Sequence, residues 1–290
     1  MSNEWNDQFL TGAQKGDLEV VKQSIERNSD SINHTNSQGQ TALSLAAREG
    51  HLSIVKYLVE RKSNLDTTDE NGQTPLSHSA ENGHLEIVKY LTENGSDLCR
   101  SDDYGSPLSM AAIEGHFEIV KYLTNRGCSV NAVTSEGHST LIHAILSSNL
   151  EIVKYLVERG ADIDRADNSG TTPLAYAVMY NRWEIVKYLT SKGVKVNVCD
   201  KQGYTPLAIA ACRERPVEIV KHLAEVEGIN PLLCAVKSGT LTTVKYLIGQ
   251  GVKIDCVEEE GKTALELAVM YNESCNDEFV EYLTSMCAKK

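Results

Sequence analysis

The sequence predicts a mostly α-helical protein assembled from small helix–turn–helix repeats stacked one on the next. Three observations predict it. The hexapeptide Glu-Ile-Val-Lys-Tyr-Leu stands at Glu86–Leu91, Glu118–Leu123, Glu151–Leu156 and Glu184–Leu189, with relatives at Ser53–Leu58, Glu218–Leu223, Thr243–Leu247 and Glu278–Leu283. The interval is nearly constant: 33 residues from Ile54 to Ile87, 32 on to Ile119, then 33 to Ile152 and 33 to Ile185. Within each period a turn signal precedes two short helical patterns. A fixed period of this size marks supersecondary units that bury their apolar faces only against their neighbours.

The repeat around residue 75 shows how each element follows from its residues. Asp69-Glu70-Asn71-Gly72 is a tight turn in which glycine tolerates positive φ. Thr74 offers a hydroxyl to cap the first free amides of a helix, and Pro75 suits its first position. That helix runs through Ser79-Ala80 and stops near Gly83. Ala80, like the pairs Ala46-Ala47 and Ala111-Ala112, is small enough for neighbouring repeats to approach closely. His84-Leu85 opens a second helix on which Ile87, Val88 and Leu91 form an apolar stripe. Gly95 sits where a glycine ends a helix.

Gly-x-Thr-Pro-Leu, Ala-Ala, Gly-His and Ile-Val-x-x-Leu, in that order and period, resemble the ankyrin repeat. The resemblance is strong over Gly39–Asp66, Gly72–Asp97, Gly105–Asn131, Gly170–Asn197 and Gly203–Leu223, weaker at both ends, and covers the chain in about nine repeats. It implies an ankyrin-repeat solenoid of helix–turn–helix pairs with short β-hairpin fingers. The expected organisation is a single domain over 1–290: an N-terminal capping repeat at 1–34, regular repeats at 35–225, a repeat lacking its finger at 226–256, and a C-terminal capping repeat at 257–290. The missing finger is expected because Gly228-Ile229-Asn230-Pro231 joins two helices directly, and only 25 residues separate Leu207 from Leu232. Where the family pattern has Thr-Pro-Leu-His, this chain has Ser44, Ser77, Ser109, Ala175 and Ala208; a serine hydroxyl replaces part of the lost hydrogen bonding and alanine does not. Asn131 and Asn197 follow valine in a loop where such arrays can be hydroxylated.

Composition narrows the function classes. A net charge of −12 repels phosphate and argues against nucleic acid, favouring a neutral or basic protein partner. No apolar run is long enough to span a bilayer, so no membrane insertion is expected. The start, Met1 to Asp7, is polar and acidic, unlike a secretory leader. None of the eight cysteines forms the C-x₂-C spacing of a zinc site, which fits a reduced, intracellular protein. The expected location is the cytoplasm, with the nucleus or a host cell as further compartments, and the expected state is monomeric.

No chemical motif stands above the repeat. Gly261-Lys262-Thr263 resembles the end of a phosphate loop, but Cys256 occupies the place of the required glycine. His51, His84 and His116 recur one per repeat, too far apart to converge on a metal, and are expected to bond loop carbonyls. His143 and His222 are expected to be packed or surface residues. Asp102-Asp103 and Glu258-Glu259-Glu260 fall at turns and are expected to be solvated. Glu86 to Lys89, and its equivalents at 118, 151, 184 and 218, are i,i+3 pairs on a solvated back face. Tyr57, Tyr90, Tyr122, Tyr155, Tyr188, Tyr246 and Tyr282 are expected to pack with a polar tip. No catalytic residue, metal or cofactor is expected.

The resemblance places a binding groove on the concave side, lined by finger tips and by the ends of the first helices. Mapped by register, the early repeats offer charged and amide groups. From Tyr104 onward the lining turns apolar and aromatic, with Ile113, Leu146, Met179, Tyr180 and Tyr204, followed by Arg213 and Lys237. Water-facing apolar residues in a row indicate a contact patch for a protein or peptide; the alternative is that they pack between repeats. The expected function is an interaction scaffold or adaptor. The alternative is a regulatory or targeting module, such as an inhibitor or a pathogen effector acting on another protein.

Overall fold

A computed structural model describes residues 2–101, 105–213, 216–227, 231–237, 241–249, 251–252, 254, 257, 261–271 and 277–288. It divides into two compact units, Met1–Asp162 and Ile163–Lys290. The described residues are helical hairpins joined by short loops, a helical repeat solenoid.

In the N-terminal unit five inner helices, α1 (Ser2–Lys15), α3 (Ala42–Glu49), α5 (Pro75–Glu81), α7 (Pro107–Ile113) and α9 (Thr140–Leu146), stack in sequence. Their outer partners are α2 (Leu18–Arg27), α4 (Leu52–Glu60), α6 (Leu85–Glu93), α8 (Phe117–Asn125) and α10 (Leu150–Glu158). In the C-terminal unit the inner helices are α11 (Pro173–Met179), α13 (Pro206–Cys212), α15 (Pro231–Lys237) and α17 (Ala264–Tyr271). Their partners are α12 (Trp183–Ser191), α14 (Val217–Glu227), α16 (Leu241–Gly249) and α18 (Asp277–Cys287). α14 ends at Glu227 and α15 begins at Pro231; the joining residues 228–230 lie outside the described ones, as do 214–215, 258–260 and 272–276.

The inner helices start as the sequence requires. The hydroxyls of Thr41, Thr74, Ser106, Ser139, Thr172 and Thr205 each accept the amide three residues on, satisfying a donor that the helix leaves unpaired. Proline opens α5, α7 and α11. The serines that replace the expected histidine reinforce these caps: Ser44 Oγ donates to the Thr41 carbonyl at 2.9 Å, and Ser109 Oγ accepts the Ser106 amide at 2.9 Å.

The outer helices add their Ile-Val-x-x-Leu stripe to a core that the inner helices share. Ile54, Val55 and Leu58, with their counterparts through Ile185, Val186 and Leu189, are buried. Each such side chain contributes roughly 1.5–3 kcal/mol by leaving water. The histidines behave as expected: His51, His84 and His116 donate from Nε2 to the carbonyls of Gln14, Arg48 and Glu81, each in the preceding repeat, at 3.0, 3.0 and 2.9 Å. Gly83 shows how tight this joint is. Its φ is +79°, and a Cβ there would lie 2.6 Å from the His116 ring. On the back face Lys89 meets Glu86 and Lys187 meets Glu184, both at 2.7 Å. Cations lie over the tyrosine rings, Arg61 over Tyr57 and Arg159 over Tyr155 at 4.8 Å.

The expected β-hairpin fingers are not confirmed as paired strands. The described residues contain isolated bridges, Thr35 with Thr41, Val133 with Ser139 and Val257 with Thr263, and no extended ladder. Asn36, Asp69, Asp167 and Asp200 each open a five-residue turn, and one side-chain oxygen takes the amides two and four residues on. The first residue of each turn sends its own amide across to the fifth, as Asn36 to Gln40 at 3.0 Å and Asp69 to Gln73 at 3.1 Å, while its side-chain oxygen takes the amides inside the turn.

Candidate functional site

In each unit the finger turns and the C-terminal ends of the inner helices come to the same side. Within the N-terminal unit, adjoining fingers are linked by Glu70 N–H donating to the Gln38 carbonyl at 3.0 Å; within the C-terminal unit, Lys201 N–H donates to Ser169 at 2.9 Å. The tips Ser37, Gln38, Glu70, Asn71, Ser135 and Glu136 are exposed. Asp102, Asp103 and Tyr104 lie outside the described residues.

Ile113 and Leu146 are the last residues of α7 and α9, and both are half-buried. Met179, the last residue of α11, and Tyr204 are also half-buried, whereas Tyr180 is 45% exposed. Arg213, just past α13, is exposed. Lys237 closes α15; its side chain lies outside the described atoms. In the C-terminal unit Met270, near the end of α17, is 51% exposed.

The C-terminal unit orders its aromatic group through a finger. Tyr176 donates its hydroxyl to Asp167 Oδ2 at 2.8 Å, and its ring stacks on Tyr180 with centroids 6.3 Å apart and planes 6° from parallel. Burial would raise the Asp167 carboxyl, but hydrogen bonds from the Ser169 and Tyr176 hydroxyls and from the Thr171 and Ser169 amides outweigh it and hold it below its usual value. The charge that fixes the finger thus also fixes the tyrosine pair.

The N-terminal unit builds a polar wall by the same device. Asp69 Oδ1 takes the Asn71 and Gln73 amides, while Oδ2 accepts from buried His78 Nε2 at 3.0 Å. Gln73 Nε2 donates to Glu81 Oε2 at 3.1 Å. Beside this wall is a cleft of about 600 Å³, lined by Gln73, Glu81, Met110, Ile113, Glu114, Glu136, His138 and His143 among others. His143 is 4% exposed, and its Nδ1 is buried without a hydrogen-bond partner. Burial first, then the neighbouring His138, lowers its pKa to about 4, against a hydrogen bond to the Ser109 backbone that raises it. The ring is therefore neutral at pH 7, and its Nδ1 is left without a partner. An orphan buried polar atom costs about 1–3 kcal/mol.

A second buried group lies in the loops. Cys128 Sγ is 3.4 Å from the Leu98 carbonyl, beside Cys99. Burial pushes its thiol up to about 12, with Cys99 and Asp97 adding to the effect. Asn131 in the same loops staples neighbouring repeats: Oδ1 accepts the Asp162 amide at 2.9 Å and Nδ2 donates to the Gly160 carbonyl at 3.0 Å. Asn33, Asp66 and Asp164 accept an amide from the next repeat in the same way.

Among the described residues no group of three or more His, Cys, Asp or Glu side chains could hold a metal ion. No described helix is long and apolar enough to cross a membrane. His222, set aside from sequence, bonds Thr190 Oγ1 at 2.8 Å and packs edge-on to Trp183. Sequence reasoning missed the Asp69–His78 bond, the Met110 wall and the position of His143 at the cleft. The readable signal was the finger Asx recurring 33 residues apart at Asn36 and Asp69 and again at Asp167 and Asp200, with His78 and Tyr176 nine residues after Asp69 and Asp167.

No curated protein matches the chain. The family model described as ankyrin repeats (3 copies) matches residues 9–102, 98–167, 163–229 and 224–290, which together take in nearly all of the sequence. With its period, its capped inner helices and its histidine-bridged joints, the chain belongs to the ankyrin-repeat family.

Proposed function

We propose that this protein is a non-catalytic interaction scaffold or adaptor that holds a partner protein or peptide against its finger tips and inner-helix ends. Ankyrin repeats are generally protein–protein interaction modules. The observation that carries the reading here is Tyr180: an aromatic ring 45% exposed, held flat against Tyr176 and flanked by half-buried Met179 at the end of α11. A rigid aromatic with a wet edge gives contact area at little cost in conformational entropy, the property of interface anchors. Ile113 and Leu146 supply partly exposed apolar surface at equivalent places in the N-terminal unit, and Tyr204, Arg213, Lys237 and Tyr104 extend the proposed contact set. The net charge of −12 favours a neutral or basic partner.

The cysteine spacing supports an intracellular, reduced setting, and a monomer is the proposed state. The proposed organisation is one repeat domain in which 226–256 lacks its finger and 1–34 and 257–290 act as caps. The test is Tyr180→Ala together with Tyr204→Ala. Partner capture by the full chain is expected to fall while the circular dichroism spectrum and melting temperature stay nearly constant. Unchanged capture, or loss of folding, would contradict the reading.

A further inference from the structure

Resting on that reading, and narrowing it, we infer that the cleft beside α7 and α9 receives a cationic side chain, arginine or lysine, from a basic segment of the partner. Three features of the N-terminal unit converge on this chemistry. Among the described residues the cleft lining includes Glu81, Glu114 and Glu136 and no lysine or arginine, so its formal charge is negative. Glu81 is engaged by Gln73 Nε2 at 3.1 Å, and Glu136 lies 3.7 Å from His138 Nδ1. Glu114 is exposed and, among the described residues, has no ion pair. It is the carboxylate available to a guest.

The second feature is His143. His143 lines the cleft, and its buried Nδ1 has no hydrogen-bond partner. Where that nitrogen carries no proton it accepts a hydrogen bond, which a guanidinium or ammonium guest supplies. The His138 ring stands edge-on to it with centroids 6.0 Å apart and is itself only partly covered. The third feature is the apolar wall of Met110 and half-buried Ile113, which suits the methylene stem that lysine and arginine lay along apolar surface. Planar guanidinium has five donors in a fork and can reach a carboxylate and an imidazole nitrogen together, so arginine is favoured over lysine.

The experiment uses the full chain and a fluorescein-labelled peptide alternating arginine with alanine, read by fluorescence polarisation. Its counterpart with citrulline in place of arginine keeps the shape and loses the charge. The arginine peptide is expected to bind and the citrulline peptide to bind far more weakly. E114Q with E136Q should raise the Kd about tenfold or more, with an unchanged circular dichroism spectrum. E86Q with E118Q, on the back face, should leave it unchanged. Binding should also move the His143 Nδ1 resonance in a long-range ¹H–¹⁵N spectrum, which diffuse charge attraction would not do.

Equal weakening by the back-face pair, a still His143 resonance, equal binding of the two peptides, or no binding at millimolar peptide would each overturn the inference. Those outcomes leave the broader reading intact if partner capture still depends on Tyr180 and Tyr204. Capture indifferent to the tyrosines sinks the broader reading instead.

Discussion

His143 makes the sharpest prediction at the scale of single residues. Its pKa is about 4 in the folded chain against 6.5 for the free side chain. The unfolded state therefore binds more protons between those values, and stability rises with pH across that window. The contribution is fully present above pH 6.5 and is lost as pH falls toward 4. It amounts to about 3 kcal/mol, at roughly 1.4 kcal/mol per pH unit. Urea unfolding at stepped pH should show this slope, and His143→Gln should flatten it even if that variant is less stable throughout. A slope that survives the substitution would contradict its assignment to His143. Cys128 makes a second prediction. With its thiol pushed up to about 12 it is protonated and covered at neutral pH, whereas Cys99 is exposed. Brief alkylation of the native chain followed by peptide mapping should label Cys99 and spare Cys128; equal labelling would show the loop to be open.

Individual elements divide into parts that were legible and parts that were not. The caps were readable because threonine before proline states its own role, and Thr74 binds the Ser77 amide as expected. Thr74→Ala should cost about 0.5–2 kcal/mol. The stripe of Ile119, Val120 and Leu123 was equally plain, and Leu123→Ala should cost about 2–5 kcal/mol in urea unfolding. A loss under about 1 kcal/mol would mean that the repeats slide to refill the gap. The fingers were legible as turns but not in their detail. Asp69 reads as turn punctuation, and its carboxylate also takes the amides inside the turn, as those of Asp167 and Asp200 do. The cleft was not legible at all. It needs His143 of one repeat, Met110 of the previous one and Gln73 of the one before, a coincidence in space that no spacing within a repeat announces.

Across the whole molecule, the period alone predicted helical hairpins in series, because the constraint acts only between nearest neighbours. Composition could bound the partner but not locate it: a net charge of −12 is spread over the back face as well as the fingers. What the folded chain adds is local asymmetry. The outer helices pair their charges or lay cations over tyrosines, as Lys89 with Glu86 and Arg159 over Tyr155 show. The finger side retains an unpartnered ring nitrogen at His143 and a wet aromatic at Tyr180. The claim that recognition belongs to the finger side is tested most directly by hydrogen–deuterium exchange of the full chain with and without its captured partner. The account predicts slowed exchange at the finger turns near Asp69 and Asp167 and at the ends of α7, α9 and α11, with α4, α6, α8 and α10 unchanged. Protection confined to those outer helices would contradict it.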